Sequence, residues 1–231
     1  MDKSKKVMLT IASSILILIA VSAVGFFVWY QYMNANYYLG HGSLHAEKVA
    51  NIAIQKNNPN ECAKIKVLFP IMELTEQEVI RECYFRMAHL TNDENVCNYI
   101  SGETYKNICI KDIGASRNDI TSCERISDQL DKGSCYKTFT EQGTDMSVCE
   151  NISTDSGIKL SGRDLCYIGA VQAKPDISIC TTKIKSEHYR NQCYKAVAMA
   201  TKNPVLCDKM QGQYIQFDID DCKRYIRETS N

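Results

Sequence analysis

From Val7 to Tyr30 the chain carries no charged side chain and few polar ones. A helix of that length spans about 36 Å, enough to cross a hydrocarbon core of ~30 Å with some tilt. Beyond it the pattern changes, and apolar positions return at fixed offsets from cysteines. Ile65, Ile100, Ile126, Ile152 and Met210 stand three residues after one set of cysteines, with Lys183 in the remaining place and Ile184 beside it. Ala88, Gly114, Thr140, Val171 and Ala198 stand five residues after the other set. Period-2 alternation is missing, so the region reads as helices and not strands.

The cysteines set the repeat. Cys83–Cys97, Cys109–Cys123, Cys135–Cys149, Cys166–Cys180 and Cys193–Cys207 are each 14 apart, and such a recurrence marks an internal repeat. Four residues before the second cysteine of each unit stands Asn or Asp: Asn58 (before Cys62), Asp93, Asp119, Asp145, Asp176 and Asn203. These side chains favour helix N-caps, and Pro59 and Pro204 follow two of them at the first helical position. Each such cysteine therefore begins a short helix, A, of about 8–10 residues on these capping signals, with the following isoleucine expected on the same face. The other cysteine lies in a second helix, B. Thr75-Glu76-Gln77-Glu78 reads as a capping box, and Ser101, Ser127, Ser161, Ser186 and Asp218 are the expected caps of the later B helices. A lone B-like helix at about Leu44 to Asn57 precedes the series, with Lys48 in the cysteine place.

The predicted fold is all-α: a transmembrane helix, then an α-solenoid of six helical hairpins stacked so that each unit meets mainly its neighbours. It resembles tetratricopeptide-like arrays in architecture only, because the Trp/Leu/Gly/Tyr/Pro signature of that family is missing. The expected organisation is a cytoplasmic tail at 1–6, the membrane helix at 7–30, a juxtamembrane linker at 31–43 and the repeat domain at 44–229. Gly40-His41-Gly42-Ser43 reads as a short flexible link.

Twelve cysteines, with no two closer than 12 residues, exclude C-x-x-C and zinc-knuckle spacings and point to a disulfide framework in an oxidising compartment. Two pairings suit the helices. Joining B to the next A across the constant 14 would strand Cys62 and Cys222. Joining A to B within a hairpin uses every cysteine: Cys62–Cys83, Cys97–Cys109, Cys123–Cys135, Cys149–Cys166, Cys180–Cys193 and Cys207–Cys222. The within-hairpin scheme is the prediction.

Lys3, Lys5 and Lys6 precede the apolar run, and no Lys or Arg follows until Lys48. The positive-inside bias puts the N-terminus in the cytoplasm and the cysteines outside, in agreement with the redox argument. Phe26, Phe27, Trp29, Tyr30 and Tyr32 gather at the far end, as at a headgroup boundary. A cleavable signal peptide could end near Val21-Ser22-Ala23, but the apolar run outlasts a usual signal core, so a retained anchor is expected. The formal net charge is zero, which does not indicate a nucleic-acid surface.

Candidate chemistry is sparse. Tyr84, Tyr136, Tyr167 and Tyr194 follow B cysteines and form either an aromatic ladder for a peptide or glycan or, the preferred reading, inter-repeat packing. Lys106, Lys132, Arg163 and Arg190, three residues before B cysteines, form either a basic stripe or, as preferred, a row of ion pairs. His41 and His45 have i, i+4 spacing, but the glycines around His41 favour a solvated link. Asn151-Ile152-Ser153 is a glycosylation triplet of little weight. No phosphate loop, dinucleotide fingerprint or hydrolase motif is present.

From A to B the cysteine spacings run 21, 12, 12, 17, 13 and 15, so insertions fall on one edge, where binding loops tend to sit. The most apolar insertion, around Pro70, offers Leu68, Phe69, Ile71 and Met72 as partner-binding residues. The sequence thus predicts a non-enzymatic, cofactor-free module on a bacterial or archaeal cell surface or in the periplasm. It is anchored through residues 7–30 and binds or scaffolds an envelope protein or peptide. The alternative is a self-associating component of the envelope.

Overall fold

The computed structural model describes residues 3–40, 42–67, 75–153, 161–212 and 215–229, with side chains from Ile15 onward. Leu68, Phe69, Ile71 and Met72 lie outside the described residues, as does His41. The described chain is mostly helical, with one short two-stranded ladder. The longer helices are α1 (Lys3–Asn36), α2 (Gly42–Gln55), α3 (Glu76–Thr91), α4 (Glu103–Ser116), α5 (Gln129–Glu141), α6 (Gly162–Ala173), α8 (Glu187–Ala200) and α9 (Gln216–Thr229). Between α6 and α8 lies the short α7 (Ile177–Thr182). Contacts divide the chain into two compact units, Met1–Thr91 and Asn92–Asn231.

All six disulfides join A to B within a hairpin, as the spacing predicts, with Cα–Cα distances of 5.6–6.1 Å. Every cysteine is fully buried and none is free. The A segments are shorter than expected. Five are six-residue 3₁₀ turns: Pro59–Lys64, Glu94–Tyr99, Ile120–Arg125, Met146–Asn151 and Pro204–Lys209. All six predicted caps are in place, each side-chain oxygen accepting from the backbone N–H two residues on. The isoleucine column does not continue the helix. Ile65, Ile100, Ile126, Ile152 and Met210 are the C-caps, in extended conformation, and each donates its N–H to the carbonyl of the cysteine three before it. Their side chains are buried, so burial of the apolar residue stops the turn.

The one exception explains the break at Lys183. Here the A segment is α7, an α-helical turn, and the Lys183 N–H reaches back four residues to Ile179. The same face recurs about one residue later in an α-helix than in a 3₁₀ turn. Accordingly Ile184, not Lys183, is buried at the end.

The joint from B to the next A holds a feature the sequence reading missed. Asn57, Asn92, Asn118 and Lys202, each directly before a cap, have φ of 48–53°. Left-handed residues of this kind end helices and are normally Gly or Asn. The caps Asn58, Asp119 and Asn203 donate their N–H groups to the carbonyls of Ala53, Gly114 and Ala198 at 2.8–2.9 Å, closing Schellman-type ends. In the hairpin joint before Asp145 the left-handed residue is Gly143, with φ 94°, which stands two positions before the cap instead of directly before it. Lys174 is extended instead, as expected before Pro175. Three asparagines in the chain meet the conformational demand, and the lysine does so at a cost. Lys202→Gly is expected to stabilise unit 2 by about 0.5–1 kcal/mol, read as a higher urea midpoint in far-UV circular dichroism.

The B caps differ from expectation at several points. Thr75 and Glu78 form the predicted reciprocal box, and Ser161 caps α6. The α4 cap is Gly102 rather than Ser101, and the α5 cap is Asp128 rather than Ser127. Helix α9 opens at Gln216, so Asp218 sits in its first turn. Ser186 precedes α8 without a side-chain bond. Its backbone N–H and that of Lys185 are instead satisfied by the buried Asp164 carboxylate of the preceding hairpin, at 2.7 and 3.2 Å.

Within Met1–Thr91, α2 packs on α3. Just before the expected link at 40–43, Tyr38–Leu39 pairs in parallel with Ile65–Lys66; of the link itself, Gly40 donates to the Lys66 carbonyl at 3.2 Å and Gly42 and Ser43 open α2. Within Asn92–Asn231, the B helices meet in sequence order, α4 on α5, α5 on α6, α6 on α8 and α8 on α9. Helices α5 and α6 approach most closely. A Cβ on Gly133 would overlap the Gly162 backbone, and one on Gly162 would overlap the Gln129 carbonyl. Seven residues further along both helices, Gly169 sits against Thr140 and the Lys137 carbonyl. The column position held by Thr140 thus allows close approach, and its hydroxyl donates to the Cys166 carbonyl at 3.0 Å.

Candidate functional site

Two clusters stand out, one in each unit. In the first, Glu61 is 3% exposed and is held from every side. Tyr38 donates its hydroxyl to Oε2 at 2.5 Å, Lys56 meets the same oxygen at 3.1 Å, and Lys64 meets Oε1 at 2.8 Å. Asn58 Nδ2 adds a 3.3 Å contact. The Lys64 ammonium first, then the Tyr38 hydroxyl, hold the Glu61 carboxyl down at about 2. This clasp and the two-residue ladder fasten the end of α1 to the first hairpin. Close by, Glu76 accepts from the Val67 N–H at 3.2 Å and from Lys66 Nζ at 2.7 Å. Lys66 and Val67 are thereby tied to the start of α3.

The sign of the resulting pH effect follows from the depressed pKa. An ionised, clasped Glu61 stabilises the fold fully above its ordinary value of 4.5, and that stability is lost as pH falls toward about 2. Urea midpoints are therefore expected to fall through this window in the wild-type chain. In Glu61→Gln the midpoint at pH 7 drops and the acid-side decline becomes shallower.

The second cluster lies beside the staples of unit 2. In three hairpins the residue after the A cysteine meets the residue after its B partner. Tyr136 donates its hydroxyl to Glu124, and Tyr167 does so to Glu150. In the last hairpin the pair is Lys223 with Asp208, at 2.5 Å. Burial first, and the facing carboxylate second, push both phenols above their ordinary range, so they stay protonated donors. Two of the four residues in the basic column, Lys132 and Arg163, join the same contacts, whereas Lys106 and Arg190 form no ion pair among the described residues. Lys132 lies 3.6 Å from Glu124, and Arg163 lies 3.2 Å from Glu150 while donating to the Ile152 carbonyl. Glu150 also meets Lys183 of the next hairpin at 3.1 Å. Tyr167 and then Lys183 hold the Glu150 carboxyl below its usual range.

Tyr84, Tyr136, Tyr167 and Tyr194 are 4, 2, 1 and 8% exposed, so their rings pack inside. The facing carboxylates Glu124, Glu150 and Asp208 went unremarked in the sequence, although each directly follows an A cysteine. Their regular place was the available signal. His45 lies within α2, its Nε2 3.3 Å from the Tyr38 carbonyl. Among the described residues no group of three His, Cys, Asp or Glu side chains is placed to hold a metal ion. Asn151 closes a 3₁₀ turn and is exposed.

One open groove crosses several hairpins. Helices α5, α6, α8 and α9 contribute Lys137, Ile168, Gln172, Gln192, Met199 and Tyr225 to a cavity of about 580 Å³. Its walls mix long aliphatic stems with amide and ammonium heads. Away from the staples, the described stretch of α1 from Ile15 to Asn36 is long and apolar enough to cross a membrane, as an anchor or as a signal sequence, and its side chains are unburied by protein. No protein-family model, curated protein or solved structure matches the chain.

Proposed function

We propose that the chain is a single-pass protein with its N-terminus in the cytoplasm, displaying a disulfide-stapled α-solenoid on the outer face of a bacterial or archaeal membrane. There it binds or scaffolds another envelope protein or an extended peptide. The observation that carries this reading is the groove across α5, α6, α8 and α9. Successive hairpins present equivalent faces side by side, which is how helical repeats make extended binding surfaces. The clasp between Tyr38 and Glu61 supports the anchoring half, because it leaves little slack between the apolar helix and the first hairpin. The apolar insertion with Leu68, Phe69, Ile71 and Met72 is proposed as a separate partner contact of the first unit.

Self-association is the second reading. It is favoured by the last hairpin, where Phe217 is 75% and Val205 65% exposed. A photo-crosslinking residue installed at Gln172, Gln192 or Phe217 of the full-length chain in its native membrane separates the two. Cross-links from the groove to a different protein are expected. Cross-links joining two copies through Phe217, with none from the groove, would favour self-association, and none at any site would overturn both readings.

A further inference from the structure

The fifth hairpin breaks the rule of the third and fourth in one atom group. Where those hairpins place Glu124 and Glu150 after the A cysteine, the fifth has Thr181. Everything that surrounds the carboxylate in the fourth hairpin is nonetheless present. Tyr194 stands for Tyr167 after the B cysteine, and Arg190 stands for Arg163 three residues before it. Lys209 of the next hairpin stands where Lys183 approaches Glu150. These four residues, with Asn191 and Gln211, line a cavity of about 200 Å³. No acidic residue is among its described lining. The Tyr194 ring is buried; among the described residues its hydroxyl has no hydrogen-bond partner, and neither Arg190 nor Lys209 has an acidic partner within 4 Å. One wall is built firmly: Asn191 exchanges two hydrogen bonds with the Gln211 backbone, at 2.6 and 3.0 Å.

We propose that this pocket binds a glutamate or aspartate side chain of a partner polypeptide, which supplies the carboxylate that Thr181 omits. The inference rests on the reading of the chain as a binding module and names the group that module grips. The chain supplies its own template, since Glu150 accepts from Tyr167 while ion-pairing with Arg163 and Lys183. A guanidinium and an ammonium converging with a phenol on one half-enclosed site form charge-assisted bonds to a carboxylate that a neutral amide cannot replace. An entering acidic side chain thus finds donors already positioned, so less ordering opposes its binding.

The test uses the full-length chain in nonionic detergent with its disulfides intact, and fluorescein-labelled hexaglutamate as the probe. Saturable binding by fluorescence anisotropy is expected, with hexaglutamine at least tenfold weaker. Arg190→Gln is expected to weaken hexaglutamate at least tenfold, and Tyr194→Phe, which keeps the ring packing, several-fold. Thr181→Glu restores the internal carboxylate, so it should abolish probe binding while raising the thermal midpoint. That rise excludes misfolding as the cause of lost binding. Hexaglutamate that binds no better than hexaglutamine, or equally well to Thr181→Glu, overturns the proposal. A partner cross-linked at Gln172 or Gln192 that Thr181→Glu still retains also overturns it, while leaving the binding-module reading in place.

Discussion

Reduction of the six disulfides in otherwise native buffer is expected to abolish most helical signal outside α1. The A segments are six-residue turns, far below the ~12–15 residues at which isolated helices become even marginal. Each staple closes a loop with a sequence separation of 12 to 21. The chain-entropy estimate gives about 3 kcal/mol for a loop of this size. Even at half that value the six together reach about 9 kcal/mol, comparable with the whole net stability of a typical domain. The far-UV signal of a detergent-solubilised sample should therefore fall to roughly that of the apolar helix once a reductant is added without denaturant. Retention of the full signal would show that packing between B helices suffices without the staples. Replacing a single pair, Cys123→Ala with Cys135→Ala, is expected to cost about 3 kcal/mol and leave the other hairpins folded.

Gly133→Ala is expected to destabilise the chain, although helix propensity alone predicts the opposite. Alanine in a helix interior is favoured over glycine by about 1 kcal/mol. At Gly133, however, the new methyl group would stand inside the Gly162 backbone. Backbone cannot rotate away as a long side chain can, so α5 and α6 must separate. Overpacking of this kind costs typically about 1–3 kcal/mol and sometimes more. The net expectation is a loss of about 2 kcal/mol, and a larger loss for Gly133→Val. Urea denaturation of both variants checks this. A midpoint raised by Gly133→Ala would mean that the two helices do not meet at these glycines.

How much of this was legible in the chain depended on whether a local rule settled it. The disulfide pairing followed from counting, because only one scheme left no cysteine over. The six Asn and Asp caps were visible because capping is a contact made within three residues. The length of the A segments was not visible, because what ends them is burial of Ile65, Ile100, Ile126, Ile152 and Met210, a tertiary event. The expectation of a same-face isoleucine was right about burial and wrong about conformation. The cap of α8 was illegible for the same reason: Ser186 looked adequate by itself, yet the work falls to Asp164 more than twenty residues earlier. The tyrosine column was seen as a column, but for Tyr136 and Tyr167 its meaning lay in the carboxylates opposite, Glu124 and Glu150, which no single-helix reading brings together. The left-handed asparagines before the caps were readable in principle, as Asn-Asn and Asn-Asp pairs. Lys202 masked the pattern.

The turn at α7 has a wider consequence. A 3₁₀ turn and an α-helical turn differ by about one residue in the return to a given face. By switching between them, a hairpin takes up one added residue without moving its cysteine, its buried apolar residue or its neighbour. The A-to-B separation of 13 at Cys180–Cys193, against 12 at Cys97–Cys109 and Cys123–Cys135, is such a case. The turn acts as a vernier. A chain grown by copying one hairpin can therefore drift in length by single codons and keep every staple in register, with longer additions left to the connecting loops.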